Sequence, residues 1–258
     1  IKASAGLTGL KVNVITDGKA DIEIASCFGI ARKNTRAVIR ILYLGENVRP
    51  NYWFADYSLS FDYNDYLGRN IYCPLWLLRS KEFAMQNPTY DTIDLELCTD
   101  SIQLTGIDSV VYVGNNTTPI RQELIHKLLE NEIQVECYGS QTRPVESKKE
   151  ILTKYKYCIA FENSYTPGYV TEKIFDAFQA GCRPLYWGGF SNKWFNSRSF
   201  INFEEGNSIT EKIKNLKIQM KRSDQITNEN LLKSNYTVVR SRAIKSVTNL
   251  LYDYFIKW

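Results

Sequence analysis

Three short stretches combine residue types and spacings that chemistry on a charged ligand would need. In Gly114-Asn115-Asn116-Thr117-Thr118-Pro119-Ile120-Arg121 a polar loop runs into a helical pattern that starts at Pro119, so Arg121 falls in the first turn. A cation there opposes the positive end of the helix dipole, and an anion bound to the same N–H groups would relieve it. The same spacing also accommodates a solvated Arg. In Phe161-Glu162-Asn163-Ser164-Tyr165-Thr166-Pro167-Gly168-Tyr169-Val170-Thr171-Glu172-Lys173 a strand gives way to a loop and then a helix. Lys173 at that helix start could meet a phosphate, and Glu172 could accept bonds from a pair of sugar hydroxyls. A capping carboxylate beside a solvated Lys has the same pattern. In Gly45-Glu46-Asn47-Val48-Arg49-Pro50, Glu46 stands just past a strand end, where a carboxylate could take a proton from a hydroxyl or simply cap the loop.

Other chemistries are poorly supplied. The one histidine, His126, lies in a helical pattern, so a Ser-His-Asp triad or a histidine-based zinc site is not expected, and proton transfer falls to a carboxylate, Tyr or Lys. The six cysteines (Cys27, Cys73, Cys98, Cys137, Cys158, Cys182) stand singly, and Cys137, Cys158 and Cys182 sit in apolar runs. Buried thiols in a reducing, cytoplasmic compartment are the expectation. Of the N-x-[ST] sequons at Asn115, Asn116 and Asn235, the first two fall in the candidate ligand loop, where a glycan would obstruct binding.

The 258 residues are 44% hydrophobic and 23% charged, a composition that excludes disorder, collagen and a membrane-spanning protein. No window approaches the roughly 20 apolar residues of a transmembrane helix. A net charge of +4, from 32 basic and 28 acidic residues, suits a small anionic ligand and not nucleic acid. The first residue is Ile1, so a fragment or trimmed chain is expected, with any peripheral membrane association carried by segments outside it.

Apolar runs alternating with helical patterns position these stretches, the signature of parallel βα units. Strands are expected at 39–44, 56–61, 109–113, 133–138, 156–161 and 183–187. Helices are expected at 119–130, 170–180, about 208–220 and 238–256, with Gly181 as a stop signal. The stretch 80–106 has no clear periodicity and is the expected linker. The fold class that follows is α/β with two Rossmann-like lobes: residues 1–106 as a shorter N-terminal lobe, and 107–258 as a C-terminal ligand lobe whose last helix can return to the first. In such sheets ligands bind beyond the strands' carboxyl ends. Trp53, Tyr63, Tyr66 and Trp76 are candidate sugar-stacking faces, although ordinary core or surface packing is the better account of each one individually.

The run F-E-N-S-Y-T-P-G-Y-V-T-E-K-I-F-D-A-F-Q-A-G-C-R-P-L-Y-W-G-G resembles the signature of the α-1,3/1,4-fucosyltransferases, glycosyltransferase family ten. G-E-N-V-R-P followed by A-D-Y-S-L-S-F-D-Y, and N-N-T-T-P-I-R, agree with it in order and character. The likeness covers roughly residues 20–78 and 107–205 and is closest to bacterial members. It implies a GT-B architecture, two lobes facing a cleft with GDP-fucose held mainly by the C-terminal lobe, residues 1–106 as the acceptor-side lobe, truncated at its start, and inverting transfer of fucose to a glycan hydroxyl. By the same likeness Glu46 is the general base, Arg121 and Lys173 are the cations on the diphosphate, Asn163 and Tyr169 hydrogen-bond near it, and Glu172 meets a ribose or fucose hydroxyl. The chain has no D-x-D, so two fixed cations would replace a metal; no cofactor is required and a divalent ion is at most stimulatory. The expected partners are GDP-fucose and an oligosaccharide acceptor, the 3-OH of GlcNAc in an N-acetyllactosamine-type, Lewis-antigen-forming glycan, with no nucleic acid. A different surface-glycan acceptor, and a non-catalytic nucleotide-sugar or glycan-binding protein, stay open beside it.

Overall fold

The computed structural model describes residues 9, 11–13, 15, 19–28, 37–81, 92–104, 106–140, 142–204, 208–221 and 227–256. Two compact units divide the chain, one of residues 1–78 with 235–258, the other of 79–234. The units meet at 78/79, whereas the sequence places the boundary at 106, and the terminal helix groups with the first unit. The start of the N-terminal lobe, where truncation was expected, lies largely outside the described residues, as do 82–91 of the expected linker.

The first unit holds a parallel sheet, β1 (Ile22–Ser26), β2 (Ile39–Tyr43), β3 (Tyr57–Ser60) and β4 (Asn70–Tyr72), adjacent in that order. A short helix, α1 (Leu75–Leu78), follows. Internal strands of parallel sheets are buried on both faces, and β2 reads accordingly, with its first four residues buried.

The second unit runs through β5 (Ile102–Gln103), β6 (Ile107–Val113), α2 (Pro119–Glu130), β7 (Val135–Tyr138), α3 (Lys148–Leu152), β8 (Tyr155–Ile159), α4 (Lys173–Gln179), β9 (Arg183–Tyr186), β10 (Ile201–Asn202), α5 (Ile209–Lys221) and β11 (Thr227–Asn228). Its main sheet has the order β10-β9-β8-β6-β7, every pair parallel, while β5 and β11 form a small antiparallel pair. Val110, Tyr157, Ile159, Leu185, Leu124 and Leu128 share one core cluster, which fixes α2 on the sheet. The aperiodic stretch after 79 is not a free linker: Ile93, Leu95 and Cys98 are buried, and the Leu232 N–H donates to the Cys98 carbonyl at 2.7 Å.

Beyond β11 the helix α6 (Thr237–Phe255) returns to the first unit, where Val247, Leu250 and Leu251, spaced to share one helix face, pack on Ile39, Ile41 and Ile71. Among the described residues no helix is long and apolar enough to cross a membrane.

Candidate active site

In the second unit β7 lies on one side of β6 and β8 on the other, so the connections leaving β6 and those leaving β8 diverge. That is the switch point at which parallel α/β sheets bind ligands. A cavity of about 710 Å³ opens there, lined by residues 112–116, Arg121, Gly139, Ser140, residues 144–148 and 158–161, Asn163, Glu172 and Lys173. Gly139 lets the ends of β6 and β7 close together, since a Cβ on it would lie 2.3 Å from the Gly114 carbonyl oxygen.

Arg121 is 2% exposed and stands on the core-facing stripe of α2 with Leu124 and Leu128, not in solvent. Its guanidinium donates to the Asn116 carbonyl at 2.5 Å, the Phe161 carbonyl at 2.5 Å and Asn163 Oδ1 at 2.9 Å. Its Nε is buried with no partner, and among the described residues no carboxylate pairs with it. A buried guanidinium held only by neutral oxygens is a costly arrangement that an anion in the adjacent cavity would offset.

Lys173 opens α4 and reaches Glu162 Oε2 at 3.1 Å and Thr171 Oγ1 at 2.9 Å. Glu172 is the residue before the helix but makes no capping bond; its carboxylate pairs instead with Arg79 at 3.1 Å and lies 3.7 Å from Lys173. Burial works against the Glu172 carboxylate, but Lys173 and Arg79 outweigh it and hold the group below the usual carboxylate range. Glu162 is fully buried, and burial pushes its carboxyl up against the opposing pull of Lys173 and of two bonds from Thr171. Lys148 also lines the cavity and pairs with Asp176 at 2.8 Å.

The structure therefore brings Arg121, Asn163, Glu172 and Lys173 to one cavity. Tyr169 is not among them: it is 1% exposed and lies outside the cavity wall, because the Thr166–Tyr169 turn draws it into the interior. Sequence reading missed Glu162, Arg79 and Lys148. Their signals are weak, a strand-end carboxylate and two cations distant in the chain from their partners.

Glu46 belongs to the first unit, half-buried in the turn that follows β2, where the Val48 N–H donates to its backbone carbonyl at 2.7 Å. The adjacent strand end carries Asp62, which is 8% exposed and accepts from Tyr66 Oη at 2.7 Å and from Arg49 at 2.7 Å. Of the aromatic candidates, Trp53 is 90% exposed, Tyr63 stacks on Tyr72 at 5.0 Å and Tyr66 is engaged by Asp62. Trp76 is corrected to a core residue at 1% exposure, on the buried side of α1. His126 pairs on the surface with Glu130.

Two family models match the chain. Residues 108–248 match glycosyltransferase family 10 (fucosyltransferase), C-terminal part, and residues 7–79 match the N-terminal domain of alpha-(1,3)-fucosyltransferase FucT. The alpha-(1,3)-fucosyltransferase FucT of Helicobacter pylori is 30% identical over 233 residues, which cover 77% of this chain and 48% of that protein. The human 4-galactosyl-N-acetylglucosaminide 3-alpha-L-fucosyltransferase 9 is 30% identical over 115 residues, 42% of this chain and 32% of that enzyme. The chain thus spans about half the length, or less, of these curated relatives. A solved alpha1,3-fucosyltransferase superposes with a TM-score of 0.63 at 24% identity, over 83% of this chain and 70% of that one. A structure of alpha1,3-fucosyltransferase with GDP-fucose gives 0.62 at 21%, over 90% and 79%. These likenesses establish the fold, the α/β GT-B architecture with its two parallel sheets.

Proposed function

The chain belongs to glycosyltransferase family 10, the fucosyltransferases, and from that premise we propose that it transfers L-fucose from GDP-fucose to a glycan hydroxyl with inversion at the anomeric carbon. The observation that carries this reading is Arg121, a buried cation with neutral oxygen partners, beside Lys173 on a cavity at the sheet's switch point. A nucleoside diphosphate is an anion of the right kind for the pair. As the glycosidic bond breaks, negative charge grows on the departing GDP, and cations already fixed in place stabilise it more in the transition state than before. Lys173 and Arg121 do this work without a metal ion. Asn163, held by Arg121 through Oδ1, keeps its amide N–H groups for a phosphate oxygen. Glu172, kept ionised by Arg79 and Lys173, accepts from sugar hydroxyls.

Inverting transfer needs one carboxylate to take the acceptor proton as its oxygen attacks the anomeric carbon. Glu46 fills that role in our reading, because it lies at a strand's carboxyl end in the acceptor-side unit. The acceptor we propose is the 3-OH of GlcNAc in an N-acetyllactosamine-type glycan, supported by the names of the mammalian relatives.

GDP release from GDP-fucose, followed with and without N-acetyllactosamine in the presence of EDTA, tests the reading. Acceptor-dependent release that survives the chelator is the expected result. Release that ignores this acceptor while GDP still binds would redirect the acceptor assignment, and failure to bind GDP would overturn the donor site.

A further inference from the structure

Glu162 has no part in the chemistry above, yet its surroundings are built around it. The side chain is fully buried and lies behind the cavity wall, not on it. Oε1 accepts from the Thr171 N–H at 2.8 Å and from Tyr186 Oη at 3.3 Å. Oε2 accepts from the Thr171 hydroxyl at 2.8 Å and from Lys173 Nζ at 3.1 Å, and Lys173 closes the triangle by donating to the same hydroxyl at 2.9 Å. The backbone opposite leaves room for this group: a Cβ on Gly188 would lie 2.7 Å from Glu162 Cγ and 2.5 Å from Tyr186 Oη.

Stability alone is a poor reason for such a carboxylate, since a well-packed apolar residue often serves a buried position as well or better. Geometry offers a better one. An ammonium group has three donors, and Glu162 and Thr171 occupy two of them on its buried side. The third is left for the cavity that Lys173 lines. The flanking residues do the same for the other cation, the Phe161 carbonyl and Asn163 Oδ1 both accepting from Arg121. Three consecutive residues past β8 thus seat both cations.

We propose that Glu162 is a positioning residue for the transfer reaction, fixing Lys173 Nζ both directly and through the Thr171 hydroxyl so that one N–H faces the bound diphosphate. This rests on the reading of Lys173 as a diphosphate cation. Its effect is preorganisation: Lys173 does not have to be ordered as charge develops on the leaving group.

The test is a double-mutant cycle on the full chain, with Glu162→Gln, Lys173→Ala and both together, assayed with GDP-fucose and N-acetyllactosamine and titrated with GDP. Glu162→Gln is expected to lower kcat by about 10- to 100-fold with the KM for GDP-fucose changed less than about threefold. In the Lys173→Ala background the same change should cost less than about twofold. If that background is too slow to assay, the cycle is read in GDP affinity, where a shift of about threefold or more should need Lys173. An equal loss in both backgrounds, or none in either, overturns the proposal. If Glu162→Gln does not fold, Thr171→Val removes the linking hydroxyl without touching the buried charge. Its loss should again be confined to the chain that keeps Lys173, and a loss independent of Lys173 overturns the role. The two readings fail separately. Lys173→Ala with wild-type GDP affinity and turnover would sink the donor site and this role together, whereas an impaired Lys173→Ala with an additive Glu162→Gln sinks the positioning role alone.

Discussion

Arg121 and Asn163 stand 42 positions apart in the chain and meet side chain to side chain, Nη2 to Oδ1 at 2.9 Å. The bond ties the helix that follows β6 to the loop that follows β8, the two elements that diverge at the switch point. It also orients the Asn163 amide, because an oxygen committed to Arg121 leaves the NH₂ to face the cavity. The same guanidinium reaches the Phe161 carbonyl, so the cation and the loop that would share a diphosphate with it are held as one piece.

Arg121→Lys should fail although it keeps the charge. The guanidinium serves Asn116, Phe161 and Asn163 at once through a planar fork, and an ammonium on a flexible stem cannot meet all of them while still facing the cavity. The expected loss in GDP affinity by calorimetry is about 10- to 100-fold, on the order of 1.5–3 kcal/mol for bonds to a charged group. Wild-type affinity in the Lys variant would contradict the fork geometry.

Much of this arrangement was legible in the chain and some was not. The helix starting at Pro119 and the strands ending near Val113, Tyr138 and Ile159 follow from periodicity and turn residues, and with them the position of the cavity. Arg121 carried an unused signal: positions 121, 124 and 128 share one helical face, so an Arg that begins an apolar stripe is a buried Arg. The short strands β4, β10 and β11 span two or three residues each, too few for alternation to register. The stretch after Arg79 escaped for a related reason, since Cys98 and Ile93 are buried by an irregular path that no period announces. Tyr169 was assigned by family likeness alone, and a residue type carries no information on whether its loop turns toward the ligand or into the core.

Gly189 sits where a side chain has no room. A Cβ there would lie 1.7 Å from the Thr166 carbonyl oxygen and 2.8 Å from Pro167 Cα, both on the loop that leads from Asn163 to Glu172. Gly189→Ala must push that backbone away, breaking the bond from the Gly168 N–H to the Gly189 carbonyl at 2.6 Å. Overpacking of this kind costs about 1–3 kcal/mol, so a Tm lowered by several degrees is expected together with weakened GDP binding. A variant that melts like the wild type would show that the loop is not pinned by this contact.

The Arg79–Glu172 pair gives stability a pH signature. Lys173 and Arg79 hold the Glu172 carboxyl below its usual range despite burial, so the ionised form is favoured in the folded chain. For an acid lowered on folding, the contribution is complete above the unfolded value, about 4.3, and is lost as pH falls through the folded value. Arg79→Met removes one of the two cations. With both side chains 25–31% exposed the effect is modest, about 1 kcal/mol and a Tm lower by about 2–4 °C near neutrality. Melting curves from pH 3 to 8 should show the gap between the two proteins close on the acid side. A gap that stays constant to pH 3 would mean that the pair contributes through packing and not charge.

Glu46 and the cavity at the switch point belong to separate units, for every residue lining the cavity lies between 112 and 173 while Glu46 follows β2 of the first sheet. Removing the carboxylate should therefore separate binding from chemistry. Glu46→Gln keeps the size and one acceptor oxygen but cannot take a proton from the acceptor hydroxyl. Turnover of GDP-fucose with N-acetyllactosamine is expected to fall by about 100- to 10,000-fold, the usual range for a general base, with GDP affinity changed less than about twofold. A variant that keeps turnover within about threefold of wild type would move the base to another carboxylate, and Asp62 on the neighbouring strand end would be the next to substitute.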